Sequence, residues 1–177
     1  MNNGRKNQAN LIAKECIVSA LLQLIKEKPL SAITISELTA RAGVSRMTFY
    51  RNYHSKEEIF SLHLQEILHK YEEEDRQQKL KGIYYDRAHM LHCFQYWYEY
   101  RDFFDGLIHC GFGNIFLEYL TKYIQHKWLT ETSSSQEYYK LSGFAGALYN
   151  IYISWSSGGY KESLEEIAGV LDSIYGN

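Results

Sequence analysis

A single proline, Pro29, stands in 177 residues, so little in the chain interrupts a helix. There are three cysteines, Cys16, Cys93 and Cys110, an odd number and too few for a disulfide framework. No apolar run of membrane-spanning length is expected, and the start of the chain is polar and basic without a signal-peptide core. The sequence therefore points to the cytoplasm and to no membrane partner. Also missing are a nucleophile elbow, a glycine-rich phosphate loop and an H-E-x-x-H metal helix. These absences argue against an enzyme, and no cofactor is expected.

What is present is 45% apolar and 23% charged, the composition of a globular protein. The net charge of −2 hides a polarity along the chain. Residues 1–60 carry nine lysines and arginines against five acidic residues, and the remainder carries ten against sixteen. A basic head on an acidic body suits a head that meets a polyanion.

Residues 33–58 organise the rest. Thr34 and Glu37 are spaced as a capping box, and Ile33 with Leu38 as a hydrophobic staple. Gly43 can take the left-handed conformation that ends a helix. Ser45 can cap a second helix two residues later. Two short helices joined so tightly suit a helix-turn-helix, whose second helix enters a DNA major groove. Phe49 and Tyr53 are four apart and should face inward with Val44. Arg46, Met47 and Thr48 are then left at the exposed front, able to reach guanine, a thymine methyl and a base edge or phosphate. Tyr50 and Arg51 lie where phosphate contact is expected, and Arg5 and Lys6 could add an arm. Ahead of the motif, residues 9–28 place Ile12, Cys16, Ile17, Ala20, Leu21, Leu24 and Ile25 at helical spacing. After it, Ser55 and Glu58 open a long helix to Asp75. The acidic run Glu72 to Asp75 reads as a solvated helix end, followed by a polar linker, 76–82.

The block Ile17 to Leu68 resembles the DNA-binding domain of the TetR family of transcriptional regulators. The resemblance rests above all on Ala42-Gly43-Val44-Ser45, Phe49-Tyr50 and Ser55-Lys56-Glu57-Glu58. It implies an all-α protein: an N-terminal three-helix domain with the helix-turn-helix, 1–55, and a C-terminal helical bundle for ligand binding and dimerisation, 56–177. It further implies a homodimer on a palindromic operator in double-stranded DNA, with a small-molecule effector that changes the separation of the two heads. Carried over by position, Thr34 and Ser36 match phosphate contacts, Arg46, Met47 and Thr48 base-reading positions, and Tyr50, Asn52 and Lys56 backbone grips. Thr39, Met47 and Asn52 depart from the family's commoner residues. The tail, Ser154-Trp155, Gly158 and Leu164 to Ile167, is similar to a subgroup that includes a coactivator. An adaptor acting through protein contacts, without its own operator, is therefore the alternative.

Helices are expected near 85–100, 102–110, 113–128, 135–157 and 163–174, with Ser134–Glu137 and Ser163–Glu166 as capping boxes. Fourteen of sixteen tyrosines and all three tryptophans lie beyond residue 70. Tyr96, Trp97, Tyr98, Tyr100, Phe104, Phe116, Tyr119, Tyr123 and Tyr149 could line an apolar ligand pocket, or form plain core. The helix 138–156 is apolar or small almost all round, which calls for burial on most sides. Gly143, Gly146, Ala147, Leu148 and Ile151, with Ile167 and Leu171 of the last helix, are the expected dimer interface. His89, His92, Cys93, His109 and Cys110 match no tight metal spacing, so no metal site is assigned.

Overall fold

The computed structural model of the chain describes residues 2–78 and 82–175, with side chains from residue 7 onward. The Arg5 and Lys6 side chains and linker positions 79–81 lie outside the described residues. Nine α-helices are described: α1 Asn2–Glu27, α2 Ile35–Ala42, α3 Arg46–Asn52, α4 Lys56–Gln78, α5 Arg87–Glu99, α6 Arg101–His109, α7 Gly113–Trp128, α8 Ser135–Ser157 and α9 Leu164–Tyr175. The fold is all-α, as the single proline foretold. Two compact units form, Met1–Leu68 with Gly106–Gly111, and His69–Asp105 with Phe112–Asn177. The sequence reading divided the chain at 55/56, whereas the compact units part inside α4.

In the first unit, the head, Ile17, Leu21 and Leu24 of α1 are at most 1% exposed, and Leu38, Phe49, Tyr53, Ile59, Phe60 and Leu64 join them. Each such side chain contributes about 1.5–3 kcal/mol by leaving water. Ile12, expected in that stripe, is 54% exposed beside Leu11 at 58%, because the buried face begins one turn later. By length and composition alone Asn7–Glu27 would pass for a membrane-crossing helix, with mean hydropathy 1.2. That corrects the expectation of no such run, but the helix is built into the head's core as described. After Pro29 a 3-10 turn, Leu30–Ala32, enters the motif, an element the sequence reading missed. Gly106 of α6 lies so close to α1 that a Cβ there would stand 2.8 Å from Ile25 Cδ1 and 2.9 Å from Leu22 Cδ2.

The second unit, the body, is held by interlocked rings. Trp97 meets Phe116 edge-on at 5.2 Å and Tyr152 at 5.6 Å, and Phe104 lies 4.6 Å from Phe116. All four are at most 1% exposed. Edge-to-face pairs add about 0.5–1.5 kcal/mol each beyond the area they bury. Ser134 caps α8 with Glu137 as a full reciprocal box, at 3.2 and 2.6 Å, and Ser163 with Glu166 does the same for α9. The turn between them is unusual: Gly159 at φ 79° is followed by Tyr160 at φ 57°. A left-handed tyrosine costs roughly 1–2 kcal/mol. Its hydroxyl offsets this by donating to Asp105 Oδ1 at 2.6 Å, while its ring packs edge-on to Trp155 at 4.9 Å.

Candidate nucleic-acid interface

The helix-turn-helix is built from its caps. Thr34 Oγ1 accepts from Glu37 N at 3.1 Å and Ser45 Oγ from Thr48 N at 3.0 Å, so each helix has an orphan N–H satisfied by its N-cap. The reciprocal half of the first box is absent. Glu37 instead pairs with Lys28 at 2.7 Å, and that bond holds its carboxyl below the usual carboxylate range. Gly43 sits at φ 66° with nothing within 4 Å of a Cβ built there, so only backbone strain opposes a side chain. Gly43→Ala is expected to lower the stability of the head by about 1 kcal/mol, read as a lower urea midpoint at unchanged slope. Thr39, one of the departures from the family pattern, is buried, and its hydroxyl donates to Ile35 O at 2.9 Å. The hydroxyl is thus absorbed within α2.

Phe49 and Tyr53 are 0% and 1% exposed and anchor α3 inward. Burial raises the Tyr53 phenol, so it stays neutral. The opposite face presents Arg46, Met47 at 82% exposure and Tyr50 at 53%. Thr34 and Ser36 are exposed at the start of α2. Thr48 is half-buried, with its hydroxyl 2.9 Å from Ser45 Oγ. No acidic residue occurs between Glu37 and Glu57. Of the four cations in that interval, Arg41 is held by Glu27 through two bonds, at 2.8 and 3.1 Å. Lys56 donates to the carbonyls of Leu30 at 2.7 Å and Ile33 at 2.5 Å. Arg46 and Arg51 remain as outward charges on α3.

Two positions assigned as backbone grips have internal work as well. The Asn52 amide exchanges hydrogen bonds with Asn10 at 3.0 and 3.1 Å and donates to Thr48 O at 2.9 Å, tying α3 to α1. Lys56 has one donor left after clamping the 3-10 turn. Lys56→Met should therefore cost about 2 kcal/mol of stability in addition to weakening DNA binding, a pairing of effects visible by measuring both on one preparation. Between α1 and the motif runs an open cleft of about 720 Å³, lined by Asn7, Asn10, Ser45, Thr48, Arg51 and Asn52 among others. Sequence reasoning missed it, since nothing in the spacing links Asn10 to Asn52.

In the body, seven of the nine aromatic residues expected to line one pocket fall into two groups. Trp97, Phe104 and Phe116 are locked in the ring core with Tyr149, 5.8 Å from Phe116. Tyr96, Tyr100 and Tyr123 gather about Tyr71, with Tyr96 5.0 Å and Tyr123 5.6 Å from it. Tyr98 packs on Trp155 and Tyr160 at 5.5 and 5.3 Å, and Tyr119 is half-buried. Asp75 is corrected: it is 7% exposed, not solvated, and takes hydrogen bonds from Tyr123 at 2.9 Å and from Lys127. Of the expected interface residues, Leu148, Ile167 and Leu171 turn inward at 2%, 7% and 0% exposure. Gly143 is exposed, Gly146, Ala147 and Ile151 are half-buried, and neither glycine has a neighbour within 4 Å of an added Cβ. Among the described residues, no three His, Cys, Asp or Glu side chains are placed to hold a metal ion.

Comparison with known proteins agrees with this arrangement. Residues 17–61 match the model of bacterial regulatory proteins of the tetR family, and residues 87–175 match that of a transcriptional regulator C-terminal region. No curated protein matches. Among solved structures, Lin0861 from Listeria innocua is similar with a TM-score of 0.77 at 15% identity, covering 98% of this chain and 93% of that one. The dihydroxyacetone kinase operon activator DhaS is similar with a TM-score of 0.55 at 18% identity, covering 93% and 94%. At such identities the likeness shows the fold alone. The two family models together span the capped helix-turn-helix and the aromatic body, and the chain belongs to the TetR family of DNA-binding transcriptional regulators.

Proposed function

We propose that the protein is a ligand-responsive repressor that binds a palindromic operator as a homodimer. The observation that carries the reading is the outer face of α3, where Arg46, Met47, Tyr50 and Arg51 are exposed on a stretch free of acidic residues. Arg46 is placed to donate to guanine or phosphate, Met47 to pack on a thymine methyl and Tyr50 to bond a phosphate. Thr34 and Ser36 at the start of α2 add phosphate contacts, Thr48 supports the cap, and Asn52 and Lys56 position the motif.

A second copy of the chain is the partner that suits the outer face of α8. Gly143, Gly146 and Ala147 allow close helix approach, Ile151 adds apolar surface, and Val170 and Ile174 of α9 are 40% and 59% exposed. Such faces, paired about a two-fold axis, make a four-helix interface. Two heads related by that axis read two half-sites about one helical turn apart, roughly 34–36 Å. An effector in the body would favour a head separation that no longer matches successive grooves.

Selection of bound fragments from the genomic DNA of the source tests this. Enrichment of a palindrome, with two chains per site, is expected. A single enriched half-site would overturn the dimer, and no enrichment would overturn direct operator binding. The adaptor reading, raised by the tail's similarity to a subgroup that includes a coactivator, gains one structural observation, the exposure of Met47 with that of Leu11 and Ile12 on α1, and absence of enrichment is the result it expects.

A further inference from the structure

Four polar atoms of the body are buried and make no hydrogen bond among the described residues: Asp75 Oδ1, both ring nitrogens of His89, and His92 Nε2. Native interiors leave few such groups unmet, and each costs about 1–3 kcal/mol when nothing meets it. Their residues lie within electrostatic reach of one another. Asp75 on α4 and His89 on α5 are 7% and 5% exposed. His92 lies three residues after His89, on the same helix face. From α7, Tyr123 and Lys127 both donate to Asp75 Oδ2, which leaves Oδ1 unused. Rings wall the group: Tyr71 stacks on His92 at 4.9 Å and stands 5.6 Å from Tyr123, and Trp128 lies 5.5 Å from His89.

The chemistry of the unmet atoms narrows the ligand. Gln78 Nε2 lies 3.2 Å from His92 Nδ1, so a neutral ring accepting there carries its proton at Nε2 and offers a donor. Burial favours the neutral form of both imidazoles, and Lys127 adds to this at His89. Neutral His89 has one donor and one acceptor. Asp75 Oδ1 is an acceptor, and the Asp75 charge is balanced by Lys127. The group is therefore uncharged as a whole and holds donors and acceptors in equal measure. An anion would face Asp75, and a cation would face Lys127. An apolar ligand would leave every unmet atom as it is. A hydroxyl both donates and accepts, and a small carbon frame that carries several of them suits contact with aromatic rings.

We propose that Asp75, His89 and His92 form a binding site for a small neutral polyhydroxylated molecule, and that this is the effector site of the body. Its regulatory meaning rests on the ligand-responsive reading above, but its binding chemistry does not. The aromatic residues at Trp97, Phe104 and Phe116 then serve as core rather than as pocket lining.

The test uses the full chain labelled at its histidine ring nitrogens. The imidazole resonances are followed by NMR during titration with glycerol, erythritol and myo-inositol, and separately with inorganic phosphate, acetate, zinc chloride and indole. At least one polyol is expected to shift the His89 and His92 signals saturably. His89→Phe and His92→Phe, made separately and checked for helicity by circular dichroism, should each weaken that polyol by about tenfold, the loss of one or two hydrogen bonds. If no polyol shifts these signals, the proposal is overturned. It is equally overturned if phosphate, acetate, zinc or indole saturates them instead, or if folded variants bind the polyol unchanged. Duplex binding by the same samples is measured without ligand, so a failure of operator recognition is distinguished from a failure of this site.

Discussion

Arg46→Ala combined with Tyr50→Phe is expected to weaken binding to the selected duplex by about 100-fold per head, from two lost contacts of roughly 1–3 kcal/mol each. The change removes one guanidinium and one hydroxyl from the exposed face of α3. It retains the Tyr50 ring, which meets Phe49 edge-on at 5.3 Å, so the fold of the head should hold. The urea midpoint is therefore expected to stay within experimental error of the wild type while fluorescence anisotropy on the duplex shows the loss. Wild-type affinity in the double variant would remove α3 from the interface. This behaviour contrasts with that of Lys56→Met, where stability and binding should fall together because Lys56 also clamps Leu30 and Ile33.

The largest effect on stability is expected at Asp105. One of its oxygens, Oδ1, accepts from Tyr152 at 3.1 Å, Ser156 at 2.6 Å and Tyr160 at 2.6 Å. Burial and the bond to Asp105 push the Tyr160 phenol up to about 12; burial likewise raises the Tyr152 phenol. Neither hydroxyl can escape its need for an acceptor by ionising. Asp105→Ala leaves Tyr152, 0% exposed, with only the Tyr160 hydroxyl as partner, and frees the left-handed turn at Tyr160. A loss of about 3 kcal/mol is expected from these unmet groups together. Asp105→Asn keeps a carbonyl acceptor and should lose about half as much. Urea unfolding followed by tryptophan fluorescence reads both, since Trp155 lies 4.9 Å from the Tyr160 ring. A loss under about 1 kcal/mol in Asp105→Ala would mean that the three bonds contribute little beyond what water supplies.

Local signals were the legible ones. Caps at Thr34, Ser45, Ser134 and Ser163, and the stop at Gly43, depend on residues three or four apart, so spacing alone exposes them. The same holds for Phe49 and Tyr53 against Arg46 and Met47, because four residues on a short helix settle which side is buried. The partners that the spacing could not show come from far along the chain. Asp75 looks like its acidic neighbours, yet Tyr123 and Lys127, 48 and 52 residues away, bury it. One sequence signal pointed there: Tyr71, Asp75 and Gln78 share a helix face. The Asn10–Asn52 pair, 42 residues apart, left no comparable trace. The nearly apolar composition of α8 calls for burial on most sides. Its residues Leu141, Phe144, Ala145, Leu148 and Tyr152 are buried within the chain, while Gly143 is exposed and Gly146 and Ala147 are half-buried. Tyr160 escaped notice because a left-handed tyrosine is paid for by tertiary contacts that no local pattern records.

The most direct test of operator binding by the head is duplex affinity of the full chain measured across a salt series. Log affinity is predicted to fall linearly with log salt, and Arg46→Ala to make that slope shallower by about one for each head that loses a phosphate contact. Affinity independent of salt, or no duplex binding at the lowest salt, would contradict recognition of DNA through α3.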